Sequence, residues 1–205
     1  MWYGPLKKFG HYVTRFNRQA SEMGTLPEIK TRRLKIVPFA ERHLTEVYVA
    51  WLNNKNLMNF SEQRHRDHTI ESCRAYMSSF EGTPHYFWAI LETESRLGHI
   101  GNINAYLDLL NGFADVGILI GEPAARGKGL GLEAWKAVCD GLFTHTATRK
   151  ITAGTMVANI PMLRIMERSG MVPDGRRAGH YRHGSEDIDL VHAALFREQW
   201  ISPVS

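Results

Sequence analysis

The sequence predicts one α/β domain built around a mixed β-sheet. Its 205 residues have the length of a single domain. Short apolar segments that alternate like strands are interspersed with segments whose apolar residues recur every three or four positions, as in helices. One predicted strand leads directly into a glycine-rich turn and a helix. Since hydrophobic residues make up 43% and charged residues 22% of the chain, the composition is that of an ordinary globular protein.

In the first segment of the chain, the apolar residues recur with no clear helical or strand period. Residues 1–30 are mixed and basic, so we predict an extension ahead of a domain at 31–205. The alternating segment 33–39 predicts the first strand. A helix is predicted at 41–53 from its apolar spacing, and Thr69 can cap a second helix.

The rest of the chain predicts six more strands and two more helices. They are strands at 86–91, 99–106 and 114–120, a helix at 130–144, a strand at 151–157, a helix at 160–168, and a hairpin of 176–181 with 187–194. Gly170 is expected to end the short helix. Cys73 and Cys139 fall in helical segments far apart, so we expect buried reduced thiols rather than a disulfide.

Composition argues against several classes of protein. A net charge of +4 is too small to indicate nucleic-acid binding, and the aromatic residues are not spaced as a stacking platform. No apolar run is long enough to span a bilayer, and the N-terminus lacks the apolar core of a signal peptide. We therefore expect a cytoplasmic protein that binds neither nucleic acid nor membrane.

The glycine-rich segment Arg126–Gly131 is the most informative motif. Glycines allow a sharp turn, and the helix that follows presents unpaired N–H groups, so the segment is suited to a phosphate or pyrophosphate. A Walker loop does not fit, because Glu122 and Gly129 stand where it needs Gly and Ser or Thr. A dinucleotide fingerprint does not fit either, since Leu132 replaces its last small residue. A glycine-rich helix start that binds nothing is the alternative.

A third pattern, Arg/Gln-x-x-Gly-x-Gly/Ala, is satisfied by Arg126, Gly129 and Gly131. Here the chain resembles the GCN5-related N-acetyltransferase (GNAT) family over nearly everything after residue 30. The resemblance implies a mostly antiparallel sheet of about seven strands with about four helices, and acetyl-CoA as co-substrate. The cofactor contacts that it implies are Ile118, Leu119, Ile120, Arg126, Gly127, Lys128, Gly129, Leu130, Gly131 and Asn159.

The segment 159–171 resembles the family's Asn-x-x-Ser/Ala…Tyr…Gly-Phe pattern only in part. Asn159 and Gly170 match, but Met166 stands where a tyrosine often donates a proton to the thiolate, and Met162 replaces Ser/Ala. The usual acid is therefore missing. A coenzyme thiol with a pKa near 8.5 is a tolerable leaving group without one, so water or another residue can supply the proton.

Asp115 is the first candidate for the general base, because it matches a position where some GNAT enzymes carry a glutamate. It can equally be a polar residue on the outer face of its strand. Glu62 and Glu122 are further catalytic candidates, although a surface carboxylate is the favoured interpretation of Glu122. An α-amine with a pKa near 8 costs only about 1 kcal/mol to deprotonate at neutral pH, so a carboxylate acting through water can suffice.

Acceptor recognition is expected from three places. They are the polar segment 59–69, where the family places its acceptor lid, the strand with Asn102 and Asn104, and the final hairpin. The candidates are Glu62, Arg64, His65, His68, Asn102, Asn104, His180 and Tyr181. Each can also be a solvated or structural polar residue. His65 and His68 lack a recognisable third ligand, so no metal site is expected.

Three functions remain open from the sequence. The first is acetyl transfer from acetyl-CoA to a small primary amine, such as an amino sugar, a sugar nucleotide or an antibiotic. The second is acetylation of a protein N-terminus, because the chain resembles the branch with ribosomal-protein N-acetyltransferases. The third is a non-catalytic module that binds coenzyme A. A homodimer is also possible.

Overall fold

The computed structural model describes residues 26–200, in which eight strands form one sheet. The mixed α/β fold is confirmed, with one strand more than the approximately seven expected. Its elements are β1 (Ile29–Lys30), β2 (Leu34–Pro38), α1 (Glu46–Asn53), α2 (Ile70–Ser78), β3 (Tyr86–Glu92), β4 (Gly98–Asp108), β5 (Phe113–Ile120), α3 (Leu130–His145), β6 (Lys150–Met156), α4 (Ile160–Arg168), β7 (Val172–His183) and β8 (Glu186–Phe196).

The strands lie in the order β1-β2-β3-β4-β5-β6-β8-β7. Every neighbouring pair is antiparallel except β5 and β6, which run parallel. Parallel neighbours need a crossover, and α3 provides it. The glycine-rich segment thus lies at the end of β5, where the chain leaves the sheet to start that crossover.

Two apolar clusters hold helices on opposite faces of the sheet. Alternate residues of β5, beginning with Ala114 and Val116, pack with α3 and α4 in the larger cluster, which includes the fully buried Trp135. The smaller cluster joins α1 and α2 to β2 and β3 through Trp51 and Phe87. Both cysteines are buried free thiols, as predicted.

The part of the predicted extension that the structure describes packs against the domain. Leu26 is buried in the larger cluster, and Ile29 and Lys30 pair with β2. Residues 1–25 lie outside the described residues, so a boundary at residue 30 stays a prediction. Among residues 26–200, no helix is both long and apolar enough to cross a bilayer.

Local signals explain the helix ends. The hydroxyls of Thr45 and Thr69 accept N–H bonds as N-caps of α1 and α2. The predicted helix at 41–53 is therefore divided, because a 3-10 turn at Glu41–His43 precedes Thr45. Gly170 ends α4 with a φ of +82°, a conformation that glycine adopts at little cost.

Candidate active site

Strands β5 and β6 separate soon after they meet. Only three residue pairs join them, and the last is Asp115 with Thr152. The Ala114 carbonyl points toward β6, where it accepts a bond from the Thr152 hydroxyl at 3.4 Å. Because backbone groups alternate along a strand, those of Ile118 and Ile120 face the gap. Neither residue pairs with β6, and the Ile120 carbonyl accepts a bond from Arg126 instead, so the gap leaves their N–H groups open to a ligand.

Leu119, the third predicted backbone contact, is oriented the other way. Its carbonyl lies against Gly101 of β4, so closely that a side chain on Gly101 would collide with it. Leu119 pairs with Asn102 in the β4–β5 ladder. Of the three residues predicted along this strand, Ile118 and Ile120 therefore present their backbone to the gap.

The glycine-rich segment forms an open turn at the start of α3. Gly127 and Gly129 have φ values of +71° and +78°, and Gly129 is the N-cap of α3. From Arg126 to Gly129 the turn is exposed to solvent. The first-turn N–H groups of a helix lack intrahelical acceptors, so this end of α3 offers several donors and a positive dipole end to an anion.

Arg126 stabilises the turn with its side chain. Its guanidinium donates to the carbonyls of Ile120 at 3.3 Å and Gly121 at 2.5 Å. The Trp51 indole lies against Gly121, so that a Cβ there would fall 2.0 Å from a ring carbon. The start of the turn is thus held between α1 and Arg126, and this is the close approach for which glycine is required at 121.

Arg33 fixes the other end of the turn. It donates to the Lys128 carbonyl at 3.0 Å and forms an ion pair with Glu133 at 2.6 Å. The guanidinium also lies 3.7 Å from the position of a Cβ on Gly129. The Arg33 guanidinium, paired with Glu133, therefore lies beside the predicted pyrophosphate site, from a residue 95 positions before Lys128.

On the opposite side of the gap, Asn159 directly precedes α4. The amide oxygen of Asn159 accepts the Met162 N–H at 3.4 Å, and its Nδ2 donates to the Thr155 hydroxyl at 2.9 Å. Asn159 is therefore the N-cap of α4, and a cofactor contact by the same residue stays a prediction. Met166 is buried in the larger cluster, so its side chain is part of the core.

Asp115 lies on the face of the sheet that carries α1 and α2. Its carboxylate accepts the Thr152 hydroxyl at 2.9 Å. Burial raises the pKa of Asp115, while the Thr152 bond and the nearby His192 lower it. The net raised pKa brings the carboxylate closer to the range in which a general base works well.

A hydroxyl and amide network lies beside Asp115 on the same face. Tyr76 and Tyr106 share a bond of 2.8 Å, and Asn104 donates to the Tyr76 hydroxyl at 3.0 Å. Burial raises the pKa of Tyr76, so its hydroxyl stays protonated. Asn102 lies on this face too, with a buried Oδ1 for which residues 26–200 offer no partner. These groups can hold a polar acceptor.

The predicted acceptor loop reaches the hairpin of β7 and β8. Arg64 pairs with Glu62 at 2.7 Å and donates to the Arg182 carbonyl at 3.1 Å. Asn59 bonds the His183 ring at 2.8 Å. Because this loop follows α1 and the hairpin lies beyond β6, the loop spans the sheet from one side of the gap to the other.

The remaining predicted acceptor residues are dispersed around this bridge. Tyr181 is half-buried near Glu62 and Arg64. Burial is the main cause of the raised pKa of Tyr181, while Glu62 raises it further and Arg64 lowers it. His65 and His180 are exposed. His68 is anchored through its backbone by two bonds of 2.8 Å to the Asn53 side chain.

Glu122 has a local structural role. Its carboxylate accepts the Ala124 N–H at 3.0 Å and caps the 3-10 turn Pro123–Ala125. Glu62 is half-exposed and paired with Arg64. Of the three catalytic candidates, only Asp115 therefore combines burial, a hydroxyl donor and a position beside the gap.

Four residues around the gap were not predicted to belong to the site. They are Arg33, Trp51, Thr152 and His192. Each meets its partner across a long sequence separation, so no local motif marks it. A sequence signal existed for two of them, because Arg33 and Trp51 lie in segments on which the resemblance to the ribosomal-protein N-acetyltransferase branch rests.

Comparison with known proteins agrees with this geometry. Residues 33–172 match the family model described as "Acetyltransferase (GNAT) domain". An uncharacterized N-acetyltransferase of Bacillus subtilis, YnaD, is 28% identical over 177 residues, which are 84% of this chain and 98% of the relative.

Solved structures share the fold at lower identity. Spermidine N-acetyltransferase from Vibrio cholerae, in complex with CoA and spermine, is 16% identical with a TM-score of 0.73, and the match covers 82% of this chain and 98% of that one. Ribosomal-protein-S5-alanine acetyltransferase from Vibrio fischeri is 14% identical with a TM-score of 0.71, over 85% and 98% of the two chains. The chain belongs to the GNAT family, as an acetyl-CoA-dependent N-acetyltransferase.

Proposed function

We propose that this enzyme transfers the acetyl group of acetyl-CoA to the primary amine of a small, polar molecule. An amino sugar, a sugar nucleotide or an amine-bearing antibiotic has the required chemistry. The separation of β5 from β6 directly after Asp115 carries the proposal. It leaves a gap with the glycine-rich turn at one side and the half-buried carboxylate of Asp115 beside it.

The cofactor is proposed to lie along this gap. The pyrophosphate would bind the N–H groups of Gly127–Gly131, with the Arg33 guanidinium beside the turn. The pantetheine would bind the backbone of Ile118 and Ile120. The same backbone N–H groups would stabilise the oxyanion that forms when the amine attacks the thioester.

The acceptor is proposed to bind on the face of Asp115. Tyr76, Asn104 and Tyr106 can hydrogen-bond the hydroxyl groups of a sugar-like molecule. The bridge between Arg64 and Arg182 spans this side of the sheet, which favours a small acceptor over an extended polypeptide. The carboxylate of Asp115 attracts the ammonium group of the incoming amine.

Release of coenzyme A measured with DTNB tests the proposal. The panel contains glucosamine, an amino-sugar nucleotide, an aminoglycoside, spermidine and peptides with free N-termini, and mass spectrometry identifies the acetylated product. Turnover of a small hydroxylated amine above all peptides is expected. Preference for a peptide would favour the protein N-terminal activity, and coenzyme A binding without release would favour the non-catalytic module.

A further inference from the structure

Gly117 leaves an open space on the face of the sheet that carries Asp115. The two residues are two positions apart on β5, so they belong to the same face. Gly117 pairs with Asn104 of β4, and Asp115 pairs with Tyr106. A Cβ on Gly117 would fall 2.7 Å from the Oδ1 atom of Asn104, closer than side chains approach each other. The amide of Asn104 therefore lies over Gly117, where any side chain at position 117 would collide with it.

Tyr76 holds the Asn104 amide in this orientation. The Nδ2 atom of Asn104 donates to the Tyr76 hydroxyl at 3.0 Å, and that hydroxyl shares a bond of 2.8 Å with the hydroxyl of Tyr106. The Tyr76 ring packs edge-on against Phe87 of β3, with the ring centroids 5.2 Å apart. Because the Nδ2 atom is engaged by Tyr76, the Oδ1 atom is the one that lies over Gly117.

Two oxygen atoms beside this space have no donor from the protein. Within residues 26–200, the Oδ1 atoms of Asn104 and Asp115 accept no hydrogen bond, whereas Oδ2 of Asp115 accepts the Thr152 hydroxyl at 2.9 Å. Both residues are partly exposed, and neither Oδ1 atom is enclosed by the protein. The face thus offers a ligand two accessible acceptors, one of which carries a negative charge.

The spacing of these acceptors suits a nitrogen with several N–H groups. Residues two apart on a strand are separated by about 6.6–6.8 Å, and the Asp115 carboxylate extends from its Cα into part of that interval. A nitrogen that donates to two oxygens at about 2.9 Å each spans up to about 5.8 Å. A primary ammonium group has three N–H donors, enough for both oxygens, whereas a hydroxyl group has one.

We propose that the Oδ1 atoms of Asn104 and Asp115 form the ammonium site of this enzyme, above Gly117, and that the site selects a primary amine over a hydroxyl group. The proposal rests on the proposed function and names the group that the acceptor presents. Asn104 contacts the amine directly. Gly117 and Tyr76 are positioning residues, because they act through the Asn104 amide.

A double-mutant cycle of Asn104→Ala and Gly117→Ala tests the ammonium site, with Asn111→Ala as the control. Asn111 is exposed in the turn between β4 and β5, at the end of β5 that is away from the gap. With the acceptor of the DTNB panel that the wild type uses best, each of the two single variants should raise the KM for the amine about tenfold. This is the effect expected when a hydrogen bond to a charged group is lost. The KM for acetyl-CoA should not change, and the control should match the wild type.

The cycle also separates the ammonium site from a general effect of the added methyl group. Gly117→Ala is expected to act only by displacing the Asn104 amide, so its further effect on the KM in Asn104→Ala should be under about twofold. An unchanged KM for the amine in Asn104→Ala would overturn the assignment. An effect of Gly117→Ala that is equally large in both backgrounds would do so as well.

Ligand binding without turnover judges the ammonium site separately from the proposed function. If the wild type acetylates no amine in the panel, that function fails, and the site is then tested with methylammonium. Its titration should shift the backbone amide NMR signal of Gly117 to saturation in the wild type, but not in Asn104→Ala. Tetramethylammonium, which has the same charge and no N–H group, should have no such effect. No response to methylammonium, or an equal response to both cations, would overturn the site whatever the turnover.

Discussion

Two neighbouring histidines make the cluster beneath α1 sensitive to acid. The rings of His43 and His99 lie 5.3 Å apart, and His99 packs edge-on against Trp51 at 5.2 Å. Burial lowers the pKa of His43 to about 4, with smaller contributions from the charges of His99 and Arg42. Burial likewise lowers the pKa of His99 to about 4, partly opposed by its bond to the Gly101 carbonyl. Both rings are therefore neutral in the folded protein at pH 7.

Proton linkage determines whether the folded protein gains or loses stability as the pH falls. In the unfolded chain these histidines bind protons below a pH of about 6.5, whereas in the folded protein they do so only below about 4. The unfolded state thus gains protons first as the pH falls, so stability is lost between these two values and the loss then levels off. At pH 5 each histidine should cost about 2 kcal/mol, or roughly 4 kcal/mol for the pair.

Urea unfolding at pH 7, 6 and 5 measures this loss, and His43→Asn is the diagnostic variant. The asparagine oxygen can take over the Nδ1 bond with the Ala40 N–H, 3.0 Å in the wild type, but it does not titrate. The variant should lose about 2 kcal/mol less than the wild type between pH 7 and 5. Carboxylates with a lowered pKa, such as Glu92, titrate in both proteins, and the comparison cancels them. An equal pH dependence in both proteins would refute the reasoning.

Four further predictions concern the gap and its surroundings. Gly129→Glu should abolish the rise in melting temperature that acetyl-CoA causes, because it adds negative charge at the anion site. The control Gly98→Glu should retain that rise, since Gly98 also has a positive φ and lies in open space. Gly121→Ala should lower both stability and acetyl-CoA affinity in thermal-shift titrations, since its Cβ would overlap the Trp51 ring. Met166→Tyr should leave turnover similar or lower it, because position 166 is buried; a large rise would show that a missing acid limits the enzyme. Thr152→Val should shift the acid limb of the pH–rate profile to higher pH, because the pKa of Asp115 loses a bond that lowers it.

The parts of the site that follow from local sequence could be predicted, and the parts made by long-range contacts could not. The helix caps at Thr69 and Gly170 and the turn before α3 depend on residues a few positions apart. The contact of Trp51 with Gly121 depends on how α1 lies on the sheet, which no periodicity reveals. Arg126 was identified from its motif, but the bonds of its side chain to the end of β5 appear only in three dimensions.

His192 shows a second reason why prediction from sequence ends. The hairpin that contains it was predicted, but the face on which His192 lies depends on the register of β8 against β6. A shift of one residue would have turned the ring toward α3 and α4. The register becomes visible only from the pairing of Gly154 with His192. β1 escaped prediction for a simpler reason, since two residues are too few to show an alternation.

Thr152 unites the architecture of the gap with its chemistry. Its hydroxyl lies 3.4 Å from the Ala114 carbonyl at the last contact between β5 and β6, and it bonds the Asp115 carboxylate at 2.9 Å. Beyond this residue the two strands diverge. The half-buried carboxylate of Asp115 is therefore held at the point where the sheet opens. Thr152 thus marks the last contact between the two strands and also holds the carboxylate of Asp115 there.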